Sequence, residues 1–407
     1  MPNSARWRRP GSSPLSRTRP ASPMRRKRSA RIVKSWPPSP APERHMLPRL
    51  VSGRQTRQDY ASSCLPAGHE GLGRHAMMKT PEHWSHRGLA AAALLPLAPV
   101  WWAGTKLLTA LAAPYRAPVP VICVGNLTAG GAGKTPFVAW LFDQLTARGQ
   151  TPAILSRGHG GSATNPTWVD PAIHDAATCG DEPLMLADGR DVLVSRDRAR
   201  GARVIAETGT HNVIVMDDGM QNPYLAHSMT IGVFDGGFGI GNGWLMPAGP
   251  LRTPLAEGLA RLDLAIINGT DETGFGARLP GSLPVFSAEL RPDASVIEAL
   301  DGAPLLAFAG IGRPSRFFKS LEAAGGTIVR RLSFADHHPY SQHDLAQIQE
   351  DAQRRGAEMI TTKKDWMRLP PDWRSRVAML QVSMEIDGDA ALIDLVEQAI
   401  TSEAGHG

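Results

Sequence analysis

Cysteine is nearly absent from this chain. Its 407 residues hold three, Cys64, Cys123 and Cys179, with no CxxC spacing, which excludes a disulfide framework and a thiolate zinc site and fits a reducing compartment. A clean membrane span is also missing. The most apolar stretch, Leu89 to Gly104 (LAAAALLPLAPVWWAG), runs 16 residues with Pro96 and Pro99 inside it, short of the roughly 20 a hydrocarbon core requires. No GxGxxG is present in the glycine-rich run Gly236 to Gly243, and the Pro247-Ala248-Gly249-Pro250 beyond it speaks for a loop, so a nicotinamide fingerprint is unsupported. Asn268-Gly269-Thr270-Asp271 lacks the lysine of a guanine-reading Asn-Lys-x-Asp and is expected to be an ordinary turn.

The basic excess does not belong to the part expected to fold. Residues 1–76 carry 16 Lys or Arg against three acidic residues, so 77–407 sum to −7 within a whole-chain charge of +6. Nucleic acid is therefore not expected as a partner. With 11 prolines and arginine clusters such as Met24-Arg25-Arg26-Lys27-Arg28, residues 1–77 are expected to be a disordered extension, upstream of a true start at Met77 or Met78. Residues 78–118 are expected to form a membrane-associated helical segment. Trp101, Trp102, Lys79, Arg87, Lys106 and Arg116 suit a headgroup boundary, and a shallow interfacial anchor is expected rather than a crossing. A secretory signal is the rival, but a nucleotide-type loop a few residues later argues against export.

That loop is the strongest feature present. Val121 to Val124 is an apolar strand candidate, Gly130, Gly131 and Gly133 allow a tight turn, and Lys134-Thr135 open a helix striped with Phe137, Val138, Leu141 and Leu145 and stopped by Gly149. Residues Thr128, Ala129, Gly130, Gly131, Ala132, Gly133, Lys134 and Thr135 are read as a phosphate loop for ATP, with Lys134 reaching the β- and γ-phosphates and the Thr135 hydroxyl holding Mg²⁺. Thr128 stands where GxxxxGK[ST] has its first glycine. Val213 to Met216 runs as a strand into Asp217-Asp218-Gly219, where a P-loop protein places its metal-organising acid; Asp218 is assigned to the metal side and Asp217 beside it. Strands are also expected at Pro152–Ser156, Asp191–Ser195, Met229–Phe234 and Leu262–Ile267, giving a P-loop NTPase-like, doubly wound, mostly parallel α/β sheet over 119–300. The alternation of strand and helix restarts near Pro304, so a second, smaller α/β domain is expected over 301–400. Asp336-His337-His338 follows one of its strands, where a histidine can face the first domain.

These residues together resemble the tetraacyldisaccharide 4'-kinase family, the lipid A 4'-kinases of Gram-negative bacteria. The likeness spans about 78–390 and rests on Val124-Gly125-Asn126-Leu127-Thr128 leading into the glycine-rich loop, Leu155-Ser156-Arg157-Gly158, Gly180-Asp181-Glu182-Pro183 and Asp217-Asp218-Gly219-Met220-Gln221. It continues in Gly241-Asn242-Gly243, Pro247 to Arg252, Phe308 to Ile311, Asp336-His337 and Thr361-Thr362-Lys363-Lys364-Asp365. The resemblance implies transfer of the γ-phosphate of ATP, with Mg²⁺, to the 4'-hydroxyl of an acylated disaccharide 1-phosphate, forming lipid IVA at the cytoplasmic face of the inner membrane, with no obligate protein partner. It further implies a catalytic pair, Asp181 and His337; beside it Lys134 is expected to act on the phosphates, Glu182 to join Thr135 and Asp218 at the metal, and Asn126, Arg157, Asp217, Gln221 and Arg198 to contact substrate. The family also tolerates threonine in the Thr128 place. Asn222 and His159 depart from the family's usual His and Tyr. A P-loop GTPase or ATPase switch acting on a protein partner is the alternative, and an inactive membrane-bound scaffold a third reading.

Overall fold

Short apolar runs bounded by glycine become parallel strands in this chain because both of their faces are covered. The computed structural model describes residues 81–404, all within one compact unit. The extension expected over 1–77, Cys64, Lys79 and the start of the 78–118 segment lie outside the described residues.

The strands, in chain order, are β1 (Val121–Gly125), β2 (Pro152–Ser156), β3 (Thr167–Trp168), β4 (Val192–Val194), β5 (Val213–Asp217), β6 (Met229–Asp235), β7 (Leu264–Asn268), β8 (Val285–Pro292), β9 (Leu305–Ala309), β10 (Ile328–Ser333), β11 (Glu358–Thr362), β12 (Ala378–Leu380) and β13 (Val382–Ile386). They form a nine-stranded sheet, β13-β8-β7-β6-β1-β5-β2-β4-β3, and a four-stranded sheet, β10-β9-β11-β12. In the large sheet only the edge pairs β3–β4 and β8–β13 are antiparallel, and the small sheet is wholly parallel.

Every residue of β1 is buried, and the alternation of its side chains divides the core. Ile122 and Val124 pack with Phe137, Val138, Leu141 and Leu145 of the helix Lys134–Ala147. On the other face Val121 packs with Ala202 and Ile205 of the helix Arg198–Glu207. The sheet is thus covered on both sides, as doubly wound architecture requires. β1 lies between β5 and β6, so strand order reverses at its carboxyl end, the place where such sheets form a ligand crevice.

The expected smaller domain over 301–400 does not keep its last part. After β12 the chain returns, and β13 pairs antiparallel with β8 in the register Met384↔Leu290. The helix Asp389–Ala404 then lays Leu392, Ile393 and Val396 into the core shared with Ile122 and Phe137. The cause is burial: those side chains are apolar and the large sheet has a face for them. The β8–β13 pair escaped the sequence reading because exposed, charged residues alternate along it instead of forming an apolar run.

The segment Leu89–Ala110 is helical, broken by a 3₁₀ turn over Leu95–Leu97 beside the expected prolines, and by length and composition it is sufficient to cross a membrane. Ala91 and Ala98 are buried against the body while Leu89, Leu97, Val100, Leu107 and Leu108 are exposed.

If the terminal helix is part of the main core, Leu392→Ala should destabilise the protein by about 2–5 kcal/mol, the usual range for emptying a fully buried leucine site. Urea unfolding checks this, and a loss below about 1 kcal/mol would remove the helix from that core.

Candidate active site

The phosphate loop takes its shape from contacts at its back. Gly133 has φ 87° and leads into the helix with Lys134. A Cβ there would stand 2.1 Å from Asn268 Nδ2, so neither the backbone nor the space admits another residue. Asn268, at the end of β7, donates from that same nitrogen to Ala132 O at 3.2 Å. The opposite rim is tied down as well, because Ala129 N–H donates to Pro250 O at 2.8 Å and Arg252 N–H to Leu127 O at 2.9 Å. Asn268 therefore braces the phosphate loop from the end of β7, while the residues after it make the expected turn, with Phe275 N–H donating to Asp271 Oδ1 at 3.0 Å.

Lys134 Nζ donates to Asn126 Oδ1 at 3.0 Å and lies 3.5 Å from Asp218 Oδ1. Arg252 Nη1 reaches Asp218 Oδ1 at 3.3 Å and Gln221 Oε1 at 2.8 Å, and Gln221 Nε2 returns to Asn126 O at 3.1 Å. Burial works to raise the Asp218 carboxyl, but Lys134 and then Arg252 outweigh it and hold it below the ordinary carboxylate range. Asp217 is different. It is buried at the end of β5, and its Oδ1 has no hydrogen-bond partner. Burial first and the Glu182 carboxylate next push its pKa up. An unpartnered buried carboxylate oxygen beside a lysine is a position that a hydrated cation satisfies.

Arg198, expected at the substrate, is buried and turned to backbone: Nη1 donates to Ser195 O at 2.8 Å and Nη2 to Asp217 O at 3.3 Å. Burial pulls its guanidinium down to about 10, still charged at neutral pH. Its contacts make it a brace for the β5 end. Arg157 and His159 are exposed on the cleft wall, and Asn222 lines it too.

Asp181 and His337, 156 positions apart, meet at 2.7 Å through Asp181 Oδ2 and His337 Nδ1. Asp181 opens the short helix Asp181–Leu186. Gly180 before it has φ 89°, and a Cβ there would lie 2.5 Å from His159 O, which packs this turn against the Ser156-Arg157-Gly158 loop. His337 projects beyond the carboxyl end of β10 with φ 60°. Lys364 Nζ approaches His337 Nε2 and Arg368 Nη2 approaches Nδ1, both at 3.1 Å; because the Asp181 carboxylate, closer at 2.7 Å, only accepts, Nδ1 carries the proton and Nε2 accepts from Lys364. Arg368 completes the group, its Nε donating to Asp181 Oδ2 at 2.7 Å. Although burial favours the neutral acid, the hydrogen bonds from His337 and Arg368 prevail and hold Asp181 down at about 2. The Asp181 side chain is 13% exposed and that of His337 39%, so the imidazole is the member of the pair open to a ligand.

One cleft of about 1540 Å³ is lined by the phosphate loop, Asp217, Asp218, Asp181, Glu182 and His337. Sequence reasoning gave no role to Arg252, Lys364 or Arg368. The first two lie inside motifs already singled out, while Arg368, three residues past Asp365, has no local signal. Among the described residues no group of three or more His, Cys, Asp or Glu has the geometry of a metal cage. Glu182 stands 3.9 Å from Lys364.

A profile of the Tetraacyldisaccharide-1-P 4'-kinase family matches residues 90–401. The tetraacyldisaccharide 4'-kinase of Rhodospirillum centenum is 44% identical over 335 residues, covering 81% of this chain and 99% of that protein. That of Methylobacterium nodulans is 46% identical over 323 residues, covering 78% and 94%. The crystal structure of LpxK from Aquifex aeolicus in complex with ATP matches with a TM-score of 0.65 at 26% identity, over 77% of this chain and 100% of that one.

Asp181→Asn should destabilise the protein by about 1–3 kcal/mol at pH 7, the worth of hydrogen bonds to a charged group. Because the folded pKa of Asp181, about 2, lies below the unfolded value near 4, that contribution is complete above about pH 4 and is lost as pH falls towards 2. Denaturant unfolding of both proteins at pH 7 and pH 3 checks it: the gap between them must narrow at the lower pH.

Proposed function

The chain belongs to the tetraacyldisaccharide-1-P 4'-kinase family, and on that premise we propose that its cleft moves the γ-phosphoryl group of ATP onto the 4'-hydroxyl of an acylated glucosamine disaccharide 1-phosphate, the step of lipid A biosynthesis that forms lipid IVA. The observation that supports it most is the 2.7 Å contact of Asp181 with His337 in the same cleft as Lys134. A phosphoryl group and a proton acceptor are needed together, and this cleft offers a place for each.

A sugar hydroxyl is a weak nucleophile at neutral pH, so its proton must leave as oxygen attacks phosphorus. Three donor atoms already lie within 2.7 Å of Asp181 Oδ2. The more exposed member of the pair is His337, whose Nε2 takes the hydroxyl proton once the Lys364 ammonium, 3.1 Å away, gives up that contact for Asp336 Oδ1, 3.5 Å from it. We assign proton acceptance to that nitrogen, with Asp181 holding the tautomer and steadying the imidazolium that forms. The new bond joins the 4'-oxygen to the γ-phosphorus, the bond from the γ-phosphorus to the β,γ-bridging oxygen breaks, and ADP leaves with that oxygen. Lys134 and Arg252 supply positive charge where negative charge collects on the phosphates.

The donor set suits Mg²⁺, which when bound neutralises phosphate oxygens. Thr135, Asp218 and Glu182 would hold it, and the unpartnered Oδ1 of Asp217 adds a fourth candidate. Hydroxyl, carboxylate and phosphate oxygens in small number are what this cation takes. For the lipid, the exposed apolar face of Leu89–Ala110 supports association with a membrane, and we place it on the cytoplasmic leaflet of the inner membrane, where the phosphoryl donor ATP is available. The domain division we propose is a phosphate-loop part and a smaller part, about 301–380, meeting across the cleft.

Lys134→Ala should lower transfer of label from γ-labelled ATP into chloroform-soluble disaccharide lipid at least 100-fold, an order of magnitude set by losing a preorganised charge at a phosphoryl group, while the thermal unfolding midpoint moves little. No label in lipid with the unaltered protein would overturn the kinase reading; undiminished transfer by the variant would overturn the loop assignment.

A further inference from the structure

Arg368 is 6% exposed in its side chain and spends its donors on both halves of the cleft. Nε and Nη2 lie 2.7 and 2.6 Å from Asp181 Oδ2, on the large-sheet side, and Nη2 is also 3.1 Å from His337 Nδ1. Nη1 donates to Asp365 Oδ1 at 3.0 Å and to Gly310 O at 3.2 Å, on the small-sheet side. Gly310 is also the perch of the histidine, since its carbonyl accepts His337 N–H at 3.1 Å.

The far end of this clamp is fixed. Asp365 is completely buried; its Oδ1 also accepts from Tyr340 Oη at 3.0 Å and from Gly310 N–H at 3.1 Å, and its Oδ2 accepts from Thr362 Oγ1 at 2.6 Å. Burial first and Asp365 next push the Tyr340 phenol pKa up, so Tyr340 remains a donor. A carboxylate with four donors, buried and rigid, orients the guanidinium from behind. The planar fork then fixes where the Asp181 oxygen sits relative to the imidazole, and one lysine nitrogen lacks the geometry to do the same.

We propose that Arg368 is the positioning residue of the proton-accepting pair: it docks Asp181 onto the Gly310 perch of His337, so that the two halves of the cleft are aligned for transfer only when this arginine bridges them. The inference rests on the kinase reading for its kinetic readout and acts through Asp181, without contact with substrate.

The test uses the full chain and variants Arg368→Met, Arg368→Lys, Asp181→Asn and the double variant. Arg368→Met should lower kcat 10²-fold or more with KM for ATP within threefold, Arg368→Lys should recover at least tenfold of that loss, and Arg368→Met should cost no more than threefold when Asp181 is already Asn. A residue that merely stabilises the fold gives losses that multiply in the double variant and are not recovered by lysine. An activity-independent readout stands beside the kinetics: the hydrogen-bonded Nδ1 proton of His337, followed in proteins labelled with ¹⁵N-histidine, should be seen in the unaltered chain and vanish in Arg368→Met. If the unaltered chain labels no lipid, the kinase reading fails and this resonance alone judges the clamp. Persistence of the resonance in a folded Arg368→Met protein, kcat within threefold of the unaltered chain, or multiplying losses would each overturn the proposal.

Discussion

A single carboxylate oxygen, Oδ2 of Asp181, joins the two sheets at the point where chemistry is proposed. It accepts from His337 and from Arg368, residues 156 and 187 positions further along the chain. An acid so buried would ordinarily be costly to keep charged, and it stays charged because donors from the other sheet surround it. The dependence is mutual: without Asp181, Arg368 keeps only Asp365 to compensate it, and the imidazole has no acceptor to select its tautomer. The rest of the cleft is arranged around that meeting. Both sheets turn strand carboxyl ends towards it, β1 and β5 bringing the phosphate loop and the acid pair, and β9, β10 and β11 leading into Gly310, His337 and Lys364.

A second constraint works on the phosphate loop. Its inner rim is held by Asn268 and its outer rim by the Pro250 to Arg252 segment, so the backbone is shaped before any ligand arrives. Preorganisation of this kind matters most for phosphoryl transfer, where positioning and charge do most of the catalytic work. Arg252 belongs to both systems: its backbone closes the loop while its guanidinium meets Asp218 and Gln221.

Legibility in the sequence followed how local each signal was. The strand, glycine turn, Lys134-Thr135 and helix were readable because all of the information lies within some 30 consecutive residues, and β5 was readable from its apolar run ending in two acids. The buried strands of both sheets showed themselves as apolar runs. β8 and β13 did not, since each alternates exposed and buried residues instead of forming an apolar run. His337 was noted from its place after a strand, but its pairing with Asp181 was found by resemblance, because a lone Asp-Glu-Pro and a lone Asp-His look the same at a helix start or a surface turn. Arg368 was missed for a related reason: its importance is a set of distances to residues in other segments. The turn after Asn268 was readable, but the packing of Asn268 on Gly133 was not, because that contact joins segments more than 130 positions apart.

The apolar helix poses the remaining geometric question, whether it passes through a bilayer or lies along its surface. Its 22 residues at about 1.5 Å each are long enough to pass through. But its middle is fastened to the body: Trp101 Nε1 donates to Arg252 O at 3.4 Å and Lys106 pairs with Glu257 at 2.6 Å. To cross with those contacts kept, the lipid would have to surround Lys106 together with Glu257 of the short helix Leu255–Leu259, at a cost of several kcal/mol per ion. Lying flat keeps both contacts and still gives the exposed leucines a hydrocarbon boundary, with Trp101 at headgroup depth. Under the leaflet placement we propose, the helix rests beside the Arg252 segment that closes the phosphate loop.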